Sequence, residues 1–264
     1  MKLDFLRAKQ SFEEYLDGYD REDDKINLKI VHTYGVVRSA EEIAERMGLS
    51  EEDKDLARLI ALLHDIGRFE QIRQFDSFQP DTMNHAVYGA ELLFGEKNMI
   101  RQFLEEDQFD PLICQAIEKH SDFKLEGITD ERTLLHAKLI RDADKLDNCR
   151  VKLEESIETL LGVSLEEAGT GLIAPKVWES CMKEESVLSS DRVSEVDYWI
   201  SYIAQYYDVN FPQTYMIMKE EDYIARIVNR LTYTQADTAE KMKYLTTQIT
   251  AYMDRKIQEC ECRA

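Results

Sequence analysis

The chain has 264 residues, 44% apolar and 33% charged, a globular mixture long enough to bury a sizeable core. Its net charge of −20 argues against a nucleic-acid backbone as partner, because phosphate is repelled from most of such a surface. Four prolines and ten glycines are few for an all-β protein, and no apolar run approaches the roughly 20 residues that span a bilayer. The charged start, MKLDFLRAKQ, lacks the apolar centre of a signal peptide. Five scattered cysteines (114, 149, 181, 260 and 262) suit free thiols in a reducing compartment, so a cytoplasmic protein is expected. Cys260 and Cys262 have no histidine nearby and make a weak zinc signal.

Helical periodicity runs through almost the whole sequence, which predicts an all-α fold. The stretch DDKINLKIVHTYGVVRSAEEIAERMG places Ile26, Ile30, Val37, Ala40 and Ala44 along one helix that ends at Gly48, with His32 inside it. Ser50 then reads as an N-cap, with Asp53 three residues on and Leu56, Leu59, Ile60 and Leu63 at helix spacing. Gly67 is expected to stop that helix just after His64-Asp65. A polar loop, QFDSFQPD, leads to a helix in MNHAVYGAELLF, capped by Asp81 and carrying His85 in its first turn. DPLICQAIEKHSD is a further helix, opened by Pro111 and closed by His120. DERTLLHAKLIRDADKLDNC carries Leu134, Leu135, Leu139 and Ile140, then Asp144.

Gly162, Gly169, Gly171 and Pro175 mark an irregular connection before two last helical stretches, SDRVSEVDYWISYIAQYY and AEKMKYLTTQITAYMDRKIQ. In the latter, Met242, Leu245, Ile249, Met253 and Ile257 form a stripe that packs on the rest of the domain or serves as a homodimer seam. No repeat, low-complexity linker or domain boundary stands out. One α-helical domain over residues 1–264 is the expectation.

The doublet His64-Asp65 is the anomaly: an apolar helix finishes in two groups that are costly to bury. A buried carboxylate must be paired, hydrogen-bonded or bound to a metal. Histidines occur only at 32, 64, 85, 120 and 136, and the first four lie on or at the ends of separate predicted helices. Imidazole and carboxylate together suit manganese, iron, zinc or nickel. Helices converging on one point are how bundles build metal sites.

A histidine, the doublet His64-Asp65 after a long apolar helix, and an aspartate in Ala-Asp-Lys-Leu-Asp-Asn together resemble the HD-domain superfamily of metal-dependent phosphohydrolases. The resemblance covers about Ile26 to Asn148 and implies an all-α helical bundle, with additional C-terminal helices over about 149–264. It implies that His32, His64, Asp65 and Asp144 hold a first divalent ion. His85 and His120 match the two extra histidines of the branch that binds two, in which the doublet's aspartate bridges the ions. One or two ions are therefore expected, of manganese, iron, zinc or nickel, with magnesium admitted. Asp142 lies two residues before Asp144; Asp144 is preferred because it sits between Ala143 and Lys145, as the family motif requires. His136 has no counterpart in the motif and is assigned to packing or the surface.

The activity implied is hydrolysis of a phosphate ester on a small anionic substrate, such as a nucleotide or sugar phosphate, by hydroxide generated on the metal, with Asp65 as catalytic residue. Arg68, one turn past the doublet, suits a phosphate fork, and Lys145 is a second candidate for substrate binding. The same six ligands also serve the di-iron oxygenase branch, which resembles myo-inositol oxygenase, and a non-enzymatic nucleotide sensor is a further alternative. Every version requires the imidazoles of His32 and His64 to lie within about 8 Å of each other, given ligand bonds of roughly 2 Å.

Overall fold

A computed structural model describes residues 4–79 and 81–262. The chain divides between Asp147 and Asn148 into two compact units, and all regular structure among the described residues is helical.

The first unit holds α1 (Phe5–Leu16), α2 (Asp24–Arg46), α3 (Glu51–Leu63), α4 (Ile66–Phe75), α5 (His85–Phe94), α6 (Asp110–Lys119) and the part of α7 (Glu131–Glu154) up to Asp147. α2 and α3 pack together, burying Val36, Val37, Ala40, Ile43 and Ala44 of one with Leu56, Leu59, Ile60 and Leu63 of the other. Each large aliphatic side chain so buried contributes about 1.5–3 kcal/mol. Ser50 caps α3 by accepting the Asp53 N–H at 3.1 Å. The Asp53 carboxylate also takes Arg132 Nε at 2.8 Å and meets His136 Nε2 at 3.1 Å, tying α3 to α7. His136 is thereby a buried packing residue.

Two local expectations fail in instructive ways. Gly67 does not stop a helix: α3 already ends at Leu63, and Gly67 lies in the first turn of α4. A Cβ at Gly67 would overlap the His85 carbonyl oxygen and the Gly89 backbone nitrogen. The missing side chain thus lets α4 and α5 meet backbone to backbone. The N-cap of α5 is Asn84, whose side chain accepts the Val87 N–H at 3.2 Å, and not Asp81. That shift makes His85 the first helical residue.

The second unit continues with α8 (Ile157–Leu161), α9 (Leu165–Ala168), α10 (Pro175–Met182), α11 (Glu195–Ala204), α12 (Pro212–Glu220), α13 (Tyr223–Val228) and α14 (Ala236–Glu261). The glycine-rich connection is therefore broken by the short helix α9, α8 ending just before it at Leu161, and Pro175 opens α10. α14 packs on α12 and α13 and buries Met242, Leu245, Ile249 and Met253; Ile257 is half-buried. Asp197 is fully buried, its two oxygens accepting the backbone N–H of Ala174 at 2.9 Å and of Val193 at 3.1 Å. Cys114, Cys149, Cys181 and Cys262 are free thiols; the side chain of Cys260 lies outside the described residues. Among the described residues, no helix is long and apolar enough to cross a membrane.

Candidate metal centre

Helix ends bring the polar groups together. His64 is the C-cap of α3, Asp65 the N-cap of α4, His85 the first residue of α5 and His120 the C-cap of α6. An N-cap aspartate ordinarily accepts a hydrogen bond from its own helix. Asp65 makes no such bond to α4. Two longer helices supply the rest: His32 from within α2, and Asp144 with Asp147 one turn apart on α7. Asp142, two residues from Asp144, points about 200° round the helix from it.

The two oxygens of Asp65 face two groups of imidazoles. Its Oδ2 lies 3.6 Å from His64 Nε2 and 4.0 Å from His32 Nε2. Asp144 Oδ1 closes this group, 3.0 Å from His32 Nε2 and 4.0 Å from His64 Nε2. Asp65 Oδ1 lies 3.2 Å from His85 Nε2 and 3.7 Å from His120 Nε2, and those two nitrogens are 3.3 Å apart. The ring centroids of His32 and His64 are 5.7 Å apart. Ligand bonds of about 2.0–2.2 Å place neighbouring donor atoms roughly 3–3.5 Å apart, close to these separations.

Hydrogen bonds on the far side of each ring decide what Nε2 offers. His64 Nδ1 donates to the Ala61 carbonyl at 2.8 Å and His120 Nδ1 to the Ile117 carbonyl at 2.7 Å. His32 Nδ1 is held by the Asp147 carboxylate at 2.8 Å. In the neutral form of each ring the lone pair would then be on Nε2, facing the cluster, the orientation that supporting partners impose on metal-binding histidines. His64 Nε2 is buried without a hydrogen-bond partner. Such an atom costs about 1–3 kcal/mol unless a cation or donor meets it. Acceptors crowded around an orphaned nitrogen fit a divalent ion, and the donor set suits the borderline transition metals.

A glycine makes the supporting bond possible. A Cβ at Gly35 would run into the Asp147 carboxylate, so the bare backbone of α2 leaves the space from which Asp147 reaches His32.

The electrostatics run the same way. Burial pushes His64 down to about 4, and burial with the nearby Arg68 charge pushes His85 down to about 3. Both rings are neutral at neutral pH. Burial and Lys29 pull His32 down as well, but its hydrogen bonds to Asp144 and Asp147 outweigh them and hold it above the ordinary value. Burial would raise Asp65, yet Lys29 and the surrounding histidines keep it well below the carboxylate range. Asp144 is lowered similarly, its burial overcome by His32 and His64.

Arg68 stands in the first turn of α4. Its guanidinium donates to Gln71 Oε1 at 2.6 Å, the Phe78 carbonyl at 3.2 Å and His85 Nε2 at 2.9 Å, and its Nε lies 3.7 Å from Asp65 Oδ1. Gln71 is fully buried, and its amide nitrogen lies 2.8 Å from both the Gln79 carbonyl and Thr82 Oγ1. Lys145 is half-buried on α7, directly after Asp144. Two residues escaped the sequence reading. Lys29 Nζ lies 2.7 Å from Asp65 Oδ2, and Asp147 orients His32. Each stands three residues from a predicted ligand, on the same helix face.

Comparison with known proteins agrees with this geometry. No curated protein and no solved structure matches the chain. Residues 30–149 match the family model of the HD domain, a family made up mostly of metal-dependent phosphohydrolases. The matched segment contains His32, His64, Asp65, His85, His120 and Asp144, all of the residues gathered in the cluster as expected ligands, and is similar to an HD domain.

Proposed function

We propose that the protein hydrolyses a phosphate ester of a small anionic substrate with the help of one or two divalent ions. His32, His64, Asp65 and Asp144 would hold the first, and His85 and His120, with the other oxygen of Asp65, a second. The observation that carries this reading is the buried, unpartnered Nε2 of His64 with other ligand-type atoms gathered round it. A divalent ion bound there supplies Lewis acidity toward a phosphoryl oxygen and a water of low pKa.

The chain's own groups do the rest. Asp147 and the Ala61 and Ile117 carbonyls fix three rings so that Nε2 faces inward. Asp65, held ionised, keeps its two oxygens divided between the two imidazole groups. Arg68, anchored by Gln71 and the Phe78 carbonyl, presents a guanidinium that forks onto phosphate. Lys145 beside Asp144 is assigned to the rim of the same site. The free thiols support a reducing compartment, and we place the protein in the cytoplasm.

The test is phosphatase activity on a panel of nucleotides and p-nitrophenyl phosphate esters with added manganese, repeated with His64→Ala and Asp65→Ala. Both variants should lose more than about 100-fold, since removing even a supporting partner of a metal ligand takes 10–100-fold. Unchanged activity in both would overturn the reading. Metal analysis with an electron-spin spectrum separates the oxygenase alternative: a mixed-valence iron signal with substrate-dependent oxygen uptake would replace hydrolysis.

A further inference from the structure

Asp65 has a symmetry that the metal reading alone does not use. Its Oδ1 faces two imidazoles and the Nε of Arg68; its Oδ2 faces two imidazoles and the Nζ of Lys29. Each half of the cluster thus carries one cationic side chain.

Lys29 is more than a counter-ion sealed beneath a carboxylate. Its side chain keeps 14% of its surface exposed, against 3% for Asp65. Its ammonium lies 5.7 Å from the ring centre of Phe78. The backbone carbonyl of that same residue anchors Arg68. Lys29 and Arg68 therefore converge from α2 and α4 on Asp65 and on Phe78, two cationic side chains beside the carboxylates of the cluster on a chain whose net charge is −20.

We infer that Lys29 is a second anion-binding arm of the centre, opposite Arg68, and that its charge weakens the hold on a divalent ion while strengthening the hold on phosphate. The inference rests on the metal-centre reading above. The physics has two signs. An ammonium in hydrogen-bond contact with a ligand oxygen repels a dication bound to that oxygen and draws on its electron density. The same charge attracts a phosphate brought to the cluster. At separations of a few ångströms each interaction is large enough to move an affinity by a factor of ten or more.

The experiment uses the full chain, stripped with chelator and titrated calorimetrically, first with manganese and then, once loaded, with inorganic phosphate. Lys29→Gln keeps a hydrogen-bond donor toward Asp65 but carries no charge; Lys29→Arg keeps the charge. The Gln variant is expected to bind manganese about tenfold more tightly and phosphate about tenfold more weakly, with the Arg variant near wild type in both. Should the Gln variant fail to fold, Lys29→Met, which fills the same space, is measured in its place with the same two signs expected. Affinities that stay put, or that weaken together as for a merely structural ion pair, would overturn the inference and leave the metal centre standing. A wild-type chain that takes up no manganese would bring down both.

Discussion

Asp197, in the first turn of α11, gives one carboxylate oxygen to the backbone N–H of Ala174 and the other to that of Val193. Asp65, equally buried at the start of α4, has no backbone donor from its own helix and faces four imidazole nitrogens and two cationic side chains. Neutral amides complete Asp197, and its surroundings ask for nothing more. Around Asp65 the compensation comes instead from the charges of Lys29 and Arg68 and from imidazoles, three of them bonded through Nδ1 elsewhere. Burial is common to the two carboxylates; the partners separate a staple from a site. The two units differ accordingly: all five histidines of the chain lie between residues 32 and 136, within the first unit.

The contrast breaks most visibly at Asp65 itself. Asp65→Asn should lower manganese affinity and phosphatase activity by more than about 100-fold while the helical circular-dichroism signal persists; retained metal binding would make Asp65 another Asp197. Asp197→Ala should do the reverse. It removes the carboxylate acceptor of two backbone N–H groups, at about 0.5–1.5 kcal/mol each, read as a lower denaturant midpoint, with manganese stoichiometry unchanged. Asp147→Asn sharpens the picture, since it only loosens the orientation of His32: metal affinity should fall about 10–100-fold with the fold intact. Gly67→Ala should destabilise by about 1–3 kcal/mol, because α4 and α5 must part at the His85 carbonyl; an unchanged melting temperature would refute that contact.

The smallest effect is in acid. Between about pH 6.5 and pH 4 the unfolded chain protonates His64 and His85, whose folded pKa values are about 4 and about 3. The unfolded state then binds more protons, so the stability of chelator-treated protein falls as pH drops through that window. His32, raised in the folded state, works against this: its contribution is full below its unfolded pKa and fades as pH rises through the folded value. His136 is lowered by burial too, so three lowered groups outweigh one raised group, and the melting temperature should be lower at pH 5 than at pH 7. A rise on acidification would mean that His32 dominates.

Local chemistry was readable where the local chain decides. Apolar spacing marks α3, Ser50 caps it, and Pro111 opens α6. His64, His85 and His120 could be placed because each lies at a helix boundary with its own signal, and His32 because it falls inside the long periodic α2. Gly67 was misread because its reason is the distant His85 carbonyl, which no window around residue 67 contains. Asp81 and Asn84 are both good caps in composition, and only the path of the backbone chooses between them. Lys29 was overlooked in favour of Lys145, which is adjacent to a ligand in sequence. On a helix the next residue lies about 100° round the axis, whereas one three positions away shares the face. Asp147 stands to Asp144 as Lys29 stands to His32.

Gln71 gives the site its last property. With its amide buried among Gln79, Thr82 and Met83 and its oxygen on Arg68, it fastens the rim from within. Immobilising a long side chain at the moment of encounter takes roughly 0.5–1.5 kcal/mol from binding. For Arg68 that ordering is completed when the chain folds, so under the proposed function a small anion would meet a guanidinium already aimed.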